Sequence, residues 1–170
     1  ALTGDETQVV TDAYAGIRPH IKYFHSSRYI DDLANGDVCI AMGYSGDVFQ
    51  ARDAAAEAEN GIEIAYIIPK EGAVRWVDLM AIPADAPHVD SAHAFINYLL
   101  KPEVAAGIVD YVSYASPNTA ALELVDPEIA ADPGIYPPAE VMAKLVDPVT
   151  LPQETTRERV RAWTSIKTGQ

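Results

Sequence analysis

Val38-Cys39-Ile40-Ala41-Met42-Gly43-Tyr44-Ser45-Gly46-Asp47 passes from an unbroken apolar run into a glycine-bounded turn. Its first five residues are uninterruptedly apolar, the pattern of a strand buried on both faces of a sheet. Residues 43–46 then turn the chain. Residues 47–59 are alanine-rich with polar residues interspersed, a strong helix signal closed by Asn60-Gly61. Strand, tight turn and helix in this order belong to an α/β protein. Upstream, residues 5–15 fit an amphipathic helix ending near Gly16, and Ile21-Lys22-Tyr23-Phe24 a short strand. The spacing of Tyr29, Ile30, Leu33 and Ala34 predicts a helix stopped at Asn35-Gly36. Downstream, residues 62–68 and 73–82 read as extended runs on either side of a Pro69-Lys70-Glu71-Gly72 turn. The predicted class is therefore α/β with a largely buried sheet.

After Pro83 the pattern becomes helical. Ala92, Phe95, Ile96, Leu99 and Leu100 share one face of a helix over 91–100, and Pro102 opens another reaching about Tyr111. Residues 114–118 read as a loop, 122–125 as a short helical or irregular piece, and 132–138 as a proline-stiffened connection. A short helix is predicted over 141–146. A final amphipathic helix is predicted over 156–166, with Val160, Trp163 and Ile166 facing inward.

The chain has 170 residues, 49% of them hydrophobic, enough to bury a core. It contains no run of about 18 apolar residues and no basic region followed by an apolar one, so neither a membrane span nor a signal peptide is expected in it. A secreted chain that has shed its leader would look the same. With 12 Lys+Arg against 25 Asp+Glu, the net charge of -13 disfavours nucleic acid as a partner and suits a cationic ligand. Acidic surfaces also simply keep proteins soluble. Cys39 is the only cysteine and lies in an apolar run, so no disulfide framework is expected.

Two stretches carry candidate chemistry. Residues 43–50 and 73–80 each place an aspartate near an aromatic ring beside an apolar run. Carboxylate plus aromatic face is what an ammonium group needs before it can leave water. Asp47 either caps the helix it opens or faces a cleft beyond the strand ends, and both can hold. Trp76 and Asp78, two apart on an extended run, project from one face. A carboxylate among Val77, Leu79 and Met80 calls for a fixed partner, either a protein cation such as Arg75 or a bound amine. Tyr44 and Tyr114 are loop aromatics that either pack or meet a ligand, and Ser26 either caps a helix or donates to a ligand. A serine-type hydrolase is the alternative. Ser45 lies at a strand-turn-helix bend, but glycine is adjacent at Gly46 and Asp47 holds the place where a nucleophile elbow has glycine. No histidine or cysteine spacing supports a metal, and no cofactor is expected.

Ile17-Arg18-Pro19-His20-Ile21-Lys22-Tyr23-Phe24-His25-Ser26-Ser27, Asp31-Asp32-Leu33-Ala34-Asn35-Gly36-Asp37, Ile68-Pro69-Lys70-Glu71-Gly72-Ala73, Asn97-Tyr98-Leu99-Leu100, Pro133-Gly134-Ile135-Tyr136-Pro137-Pro138 and Arg161-Ala162-Trp163 extend the pattern over nearly the whole chain. In these stretches the sequence resembles the C-terminal half of the bacterial periplasmic polyamine-binding proteins that serve ABC transporters. The resemblance implies a type II periplasmic-binding-protein-like fold of two α/β lobes closing on a ligand. Residues 1–73 would belong to the second lobe, 74–146 to the hinge strand and first lobe, and 147–170 to a segment returning to the second lobe. It implies that Asp47 holds one ammonium, that Asp78 lies against the amine near the hinge, and that Tyr44, Trp76 and Tyr114 box the methylene chain. Ser26 resembles a cleft-lining serine.

Two positions depart from the family pattern, Tyr44 where tryptophan is usual and Trp76 where putrescine receptors carry phenylalanine. Asp47 favours putrescine, with spermidine as the second ligand. The implied partners are these amines, a membrane permease and an N-terminal half of the same protein, and the implied location is the periplasm. Such a half-receptor would leave apolar helix surface open to association or domain exchange. A module that kept the receptor fold without its ligand, serving structure or sensing, is the remaining alternative.

Overall fold

The structure is a computed structural model that describes residues 4–169. Among these residues the α-helices are α1 (Gly4–Ile17), α2 (Tyr29–Ala34), α3 (Ser45–Glu57), α4 (Val89–Leu99), α5 (Pro102–Val112), α6 (Pro127–Ala131), α7 (Ala139–Met142) and α8 (Gln153–Thr168). The chain divides into two units, one of Ala1–Ser26 with Pro148–Gln170 and one of Ser27–Asp147.

In the first unit α1 packs against α8. Trp163 of α8 receives Phe24 edge-on at 5.0 Å and Tyr14 of α1 at 6.5 Å, the perpendicular arrangement favoured by ring quadrupoles. Ile166 is buried beside this cluster, whereas Val160 is 59% exposed and does not face inward as its spacing predicts. A helix packed against one neighbour buries only a narrow stripe, and Val160 falls outside it. Residues 21–25 are extended but join no strand ladder.

The second unit has two cores. In one, α2 packs on α3 through Tyr29, Leu33, Ala34, Val48, Ala51 and Ala55. The alanines on α3, with Ala51 fully buried, let the two helices approach closely. Ile62, Ile64 and Tyr66 pack against this core while Glu63, Ala65 and Ile67 point outward, the two-residue alternation of an extended chain. Asn60 fixes where that run starts: its Nδ2 donates to the Ala34 carbonyl at 2.8 Å and its Oδ1 accepts from Ile62 N–H at 3.0 Å. The other core joins Ala105, Ala106 and Val109 of α5 to Ala121 and Val125, with Ile129 and Ala130 of α6 against them.

The helices are where periodicity places them, within a few residues. The sheet is not. Among the described residues the one β-contact is an isolated parallel bridge between Val74 and Val146. Residues 38–42 do not form a strand buried on both faces: Val38 and Ala41 touch the first core, while Ile40 is 91% and Met42 88% exposed and Cys39 is exposed as well. The α/β reading therefore holds only in part: the structure is helix-rich, and among the described residues its extended segments join no sheet beyond that bridge. The reason is that helix hydrogen bonds close within the segment, whereas a strand needs a neighbour from elsewhere. Two smaller corrections follow from local chemistry. Residues 139–142 are helical rather than 141–146, because Val146 is held in the bridge; and α6, not expected, starts at Pro127 with Asp126 accepting Glu128 N–H at 2.8 Å.

The close α2–α3 contact makes Ala51 intolerant of bulk. Ala51→Leu is expected to lower unfolding free energy by about 1–3 kcal/mol, read as a lower urea midpoint with an unchanged slope.

Candidate functional site

Asp47 lies in the first turn of α3, where the helix dipole favours negative charge. It is not the cap. Tyr44 occupies that position in extended conformation, and no side chain caps the helix. The Asp47 carboxylate is instead held by two phenols. Tyr29 donates its hydroxyl proton to Oδ2 at 2.6 Å, and Tyr114 donates to Oδ1 at 2.8 Å. The first length is that of a short, strong O–H···O bond and the second that of an ordinary one. The Tyr29 oxygen in turn accepts Tyr44 N–H at 3.0 Å, so one hydroxyl ties the helix-opening turn to the carboxylate.

Two glycines give the rings room. A Cβ at Gly43 would collide with the Tyr29 ring and hydroxyl, and one at Gly46 with the Tyr114 ring and the Val112 carbonyl. Both phenols are pushed well above the ordinary tyrosine value, first by burial and then by donation to Asp47, whose charge also opposes a second anion beside it.

An aromatic wall lies alongside. Tyr44 and Trp76 meet at 4.8 Å between ring centres with their planes 45° apart, and both remain partly exposed. Trp76 is positioned by the segment just before it. Arg75 N–H donates to the Val146 carbonyl at 2.9 Å, and Val146 N–H to the Ala73 carbonyl at 3.0 Å. The Arg75 guanidinium grips Asp147 through Nε and Nη2, each at 2.9 Å, which holds the Asp147 carboxyl below its usual range. Gly72, at φ 111°, allows this approach, since a side chain there would strike the Lys144 carbonyl.

Of the residues predicted from sequence, Tyr44, Asp47, Trp76 and Tyr114 are brought together. Asp78 is not joined to them. It is exposed on the open run after Trp76 and has no hydrogen-bond or ion-pair partner among the described residues. The buried setting expected for it is absent, since Val77, Leu79 and Met80 are themselves 57%, 86% and 52% exposed, and Arg75 is engaged by Asp147. Ser26 is exposed at the end of the first unit, and the α2 N-terminus is Arg28 without a side-chain cap. Ser45 opens α3 and makes no side-chain hydrogen bond among the described residues, so no base activates it there. Sequence reasoning missed Tyr29. Its helical spacing reads as core, and its ring is core; the overlooked signal is that a buried phenol must find a partner for its hydroxyl.

Residues 1–137 match the family described as bacterial extracellular solute-binding protein. The chain belongs to that family. It is a family of solute-binding proteins, not of enzymes. The chain is 51% identical to a putrescine-binding periplasmic protein of Escherichia coli strain K12, over 98% of its own length and 45% of the relative's. It is 49% identical to a putrescine-binding periplasmic protein of Pseudomonas aeruginosa, over 97% and 45%. It thus spans about half the length of the curated relatives it matches. Among solved structures, a spermidine/putrescine ABC transporter substrate-binding protein from Streptococcus pneumoniae aligns with TM-score 0.75 and 29% identity, over 99% of this chain and 50% of that one. The likeness supports a periplasmic-binding-protein-like fold for a chain whose extended segments, among the described residues, meet in one bridge only.

The two shifted phenols set a pH dependence. Raised values in the folded state mean that folding favours the protonated phenols, so their contribution is intact below about pH 10 and is lost as pH rises beyond it. Stability measured by thermal melting is expected to fall from about pH 10 upward, and less steeply in Tyr29→Phe. Equal base sensitivity in both chains would contradict this.

Proposed function

We propose that this chain is part of a receptor that captures polyamines, putrescine first and spermidine second, in the periplasm and delivers them to the permease of an ABC transporter. The observation that carries the reading is the half-buried Asp47 carboxylate, fixed by neutral donors and set beside the Tyr44–Trp76 wall. Phenols fix its position without cancelling its charge, so the site retains a negative charge for a cation. Asp47 takes one ammonium group. Tyr44, Trp76 and Tyr114 flank the methylene chain, where apolar faces suit CH₂ groups and the ring quadrupole suits the cationic ends. Asp78 meets the amine from the open run, and Ser26 contributes a hydroxyl. The names of the relatives, each a putrescine- or spermidine/putrescine-binding protein, support the same ligand class.

In this reading residues 1–73 and 147–170 serve the second lobe and 74–146 the hinge and first lobe. The rest of the cleft comes from further chain. Support comes from the share of the relatives that is spanned and from apolar residues that a completed sheet or lobe would cover, among them Ile40, Met42, Ile67, Phe95 and Tyr111.

The reading is tested by calorimetry with putrescine and spermidine. The 170-residue chain alone is expected to bind weakly or not at all, and submicromolar affinity would overturn the two-lobe part of the proposal. In a receptor that carries both lobes, Asp47→Asn is expected to weaken putrescine by about 30-fold or more, the scale for removing one partner of a desolvated charge pair. Unchanged affinity would remove Asp47 from amine recognition.

A further inference from the structure

We propose that Tyr29 is a positioning residue for amine recognition, fixing Asp47 and Tyr44 relative to each other while itself staying out of the ligand's reach. The inference rests on the polyamine reading above and assigns a role to a side chain that reading leaves unused.

A phenol offers one proton and two lone pairs. Tyr29 spends the proton on Asp47 Oδ2 and one lone pair on Tyr44 N–H. Both bonds are internal, and the residue is only 5% exposed, so its hydroxyl has no face to offer a ligand. The ring is seated by the α2–α3 core through Leu33, Ala34 and Ala51, which makes it a rigid support. Gly43 is the space that admits it, since any side chain there would strike Cζ and Oη. Tyr114 shares the bond to Asp47 and a glycine clearance, at Gly46, but it is half-buried and comes from the loop after α5 rather than from a packed helix. Removing Tyr29's hydroxyl therefore frees the carboxylate on one side and the backbone of the stacked Tyr44 on the other. A carboxylate already held where the ammonium arrives loses little freedom on binding, which is how preorganisation raises affinity.

Tyr29→Phe keeps the ring and removes both bonds. In a receptor carrying both lobes, putrescine affinity is expected to fall about 10- to 100-fold, the scale of one hydrogen bond to a charged group. In an Asp47→Asn background the same change is expected to cost several-fold less, because the carboxylate half of what Tyr29 positions is gone and only its bond to the Tyr44 backbone remains to lose. A merely structural role gives equal losses in both backgrounds. Equal losses, or wild-type affinity in Tyr29→Phe, overturn the proposal.

One further measurement needs neither a variant nor amine binding. In the 170-residue chain the Tyr29 hydroxyl proton is expected as a slowly exchanging downfield NMR resonance with a cross-peak to the Tyr44 amide. Its absence overturns the positioning role. If that resonance is present but the complete receptor shows no amine affinity, the polyamine reading fails and the geometry stands.

Discussion

A carboxylate held by two phenols ties together α2, the start of α3 and the loop after α5 in the second unit. Burying half of a charged group is costly unless its oxygens are satisfied, and Tyr29 and Tyr114 satisfy one oxygen each of Asp47. The choice of donor matters as much as their number. Asp147 in the same unit meets a guanidinium at 2.9 Å, a pair that neutralises itself and fastens two segments. Asp47 meets neutral hydroxyls, which fix its geometry and leave its charge unspent. One aspartate is a clasp between two segments and the other is held by neutral groups alone, and the difference lies entirely in the partner.

That arrangement accounts for several features that look unrelated. Gly43 and Gly46 bracket the helix opening because the Tyr29 and Tyr114 rings each come too close to a single short turn for a side chain there. Helix α3 begins without a side-chain cap because Tyr44, which has no short acceptor to reach the first amides, occupies the cap position, and its own N–H is taken by the Tyr29 hydroxyl. The small residues of α3 seat it closely on α2, which fixes the Tyr29 ring and through it the carboxylate. Packing, turn chemistry and charge thus converge on a single side chain. The net charge of -13 adds a long-range attraction for cations that does not depend on this geometry.

What was legible in the sequence follows the range of each interaction. Helices were readable because their hydrogen bonds and apolar stripes are local: Asn35-Gly36 stops α2 where its chemistry says, with Gly36 at φ 74°, while α3 ends at Glu57, slightly before Asn60-Gly61, with Glu59 at φ 49° in the left-handed place. Asp47, Tyr44, Trp76 and Tyr114 were readable as residue types suited to an amine, and they do come together. The Tyr29–Asp47 bond was not, since it joins residues 18 apart through a ring whose spacing announces only core. Asp78 was misread in its setting because apolar neighbours imply burial only when something covers them.

The extended segments show the same limit from the other side. Residues 38–42 and 73–82 have strand composition, yet composition describes the environment a segment suits, and the environment must be supplied by other chain. Here Val38 and Ala41 find a core on one side, while Ile40 and Met42 keep an open side with no ladder beside them. Val74 finds a single neighbour in Val146, and that one bridge, with its Arg75–Asp147 clasp, is enough to place Trp76 against Tyr44. The aromatic wall is therefore built without a sheet. Beyond Trp76 nothing comparable restrains the run, so a carboxylate two residues further on lies open to solvent. The position of the wall and its anchored aspartate is an intrinsic property of this unit, whereas the second carboxylate's position depends on whatever packs against residues 76–82.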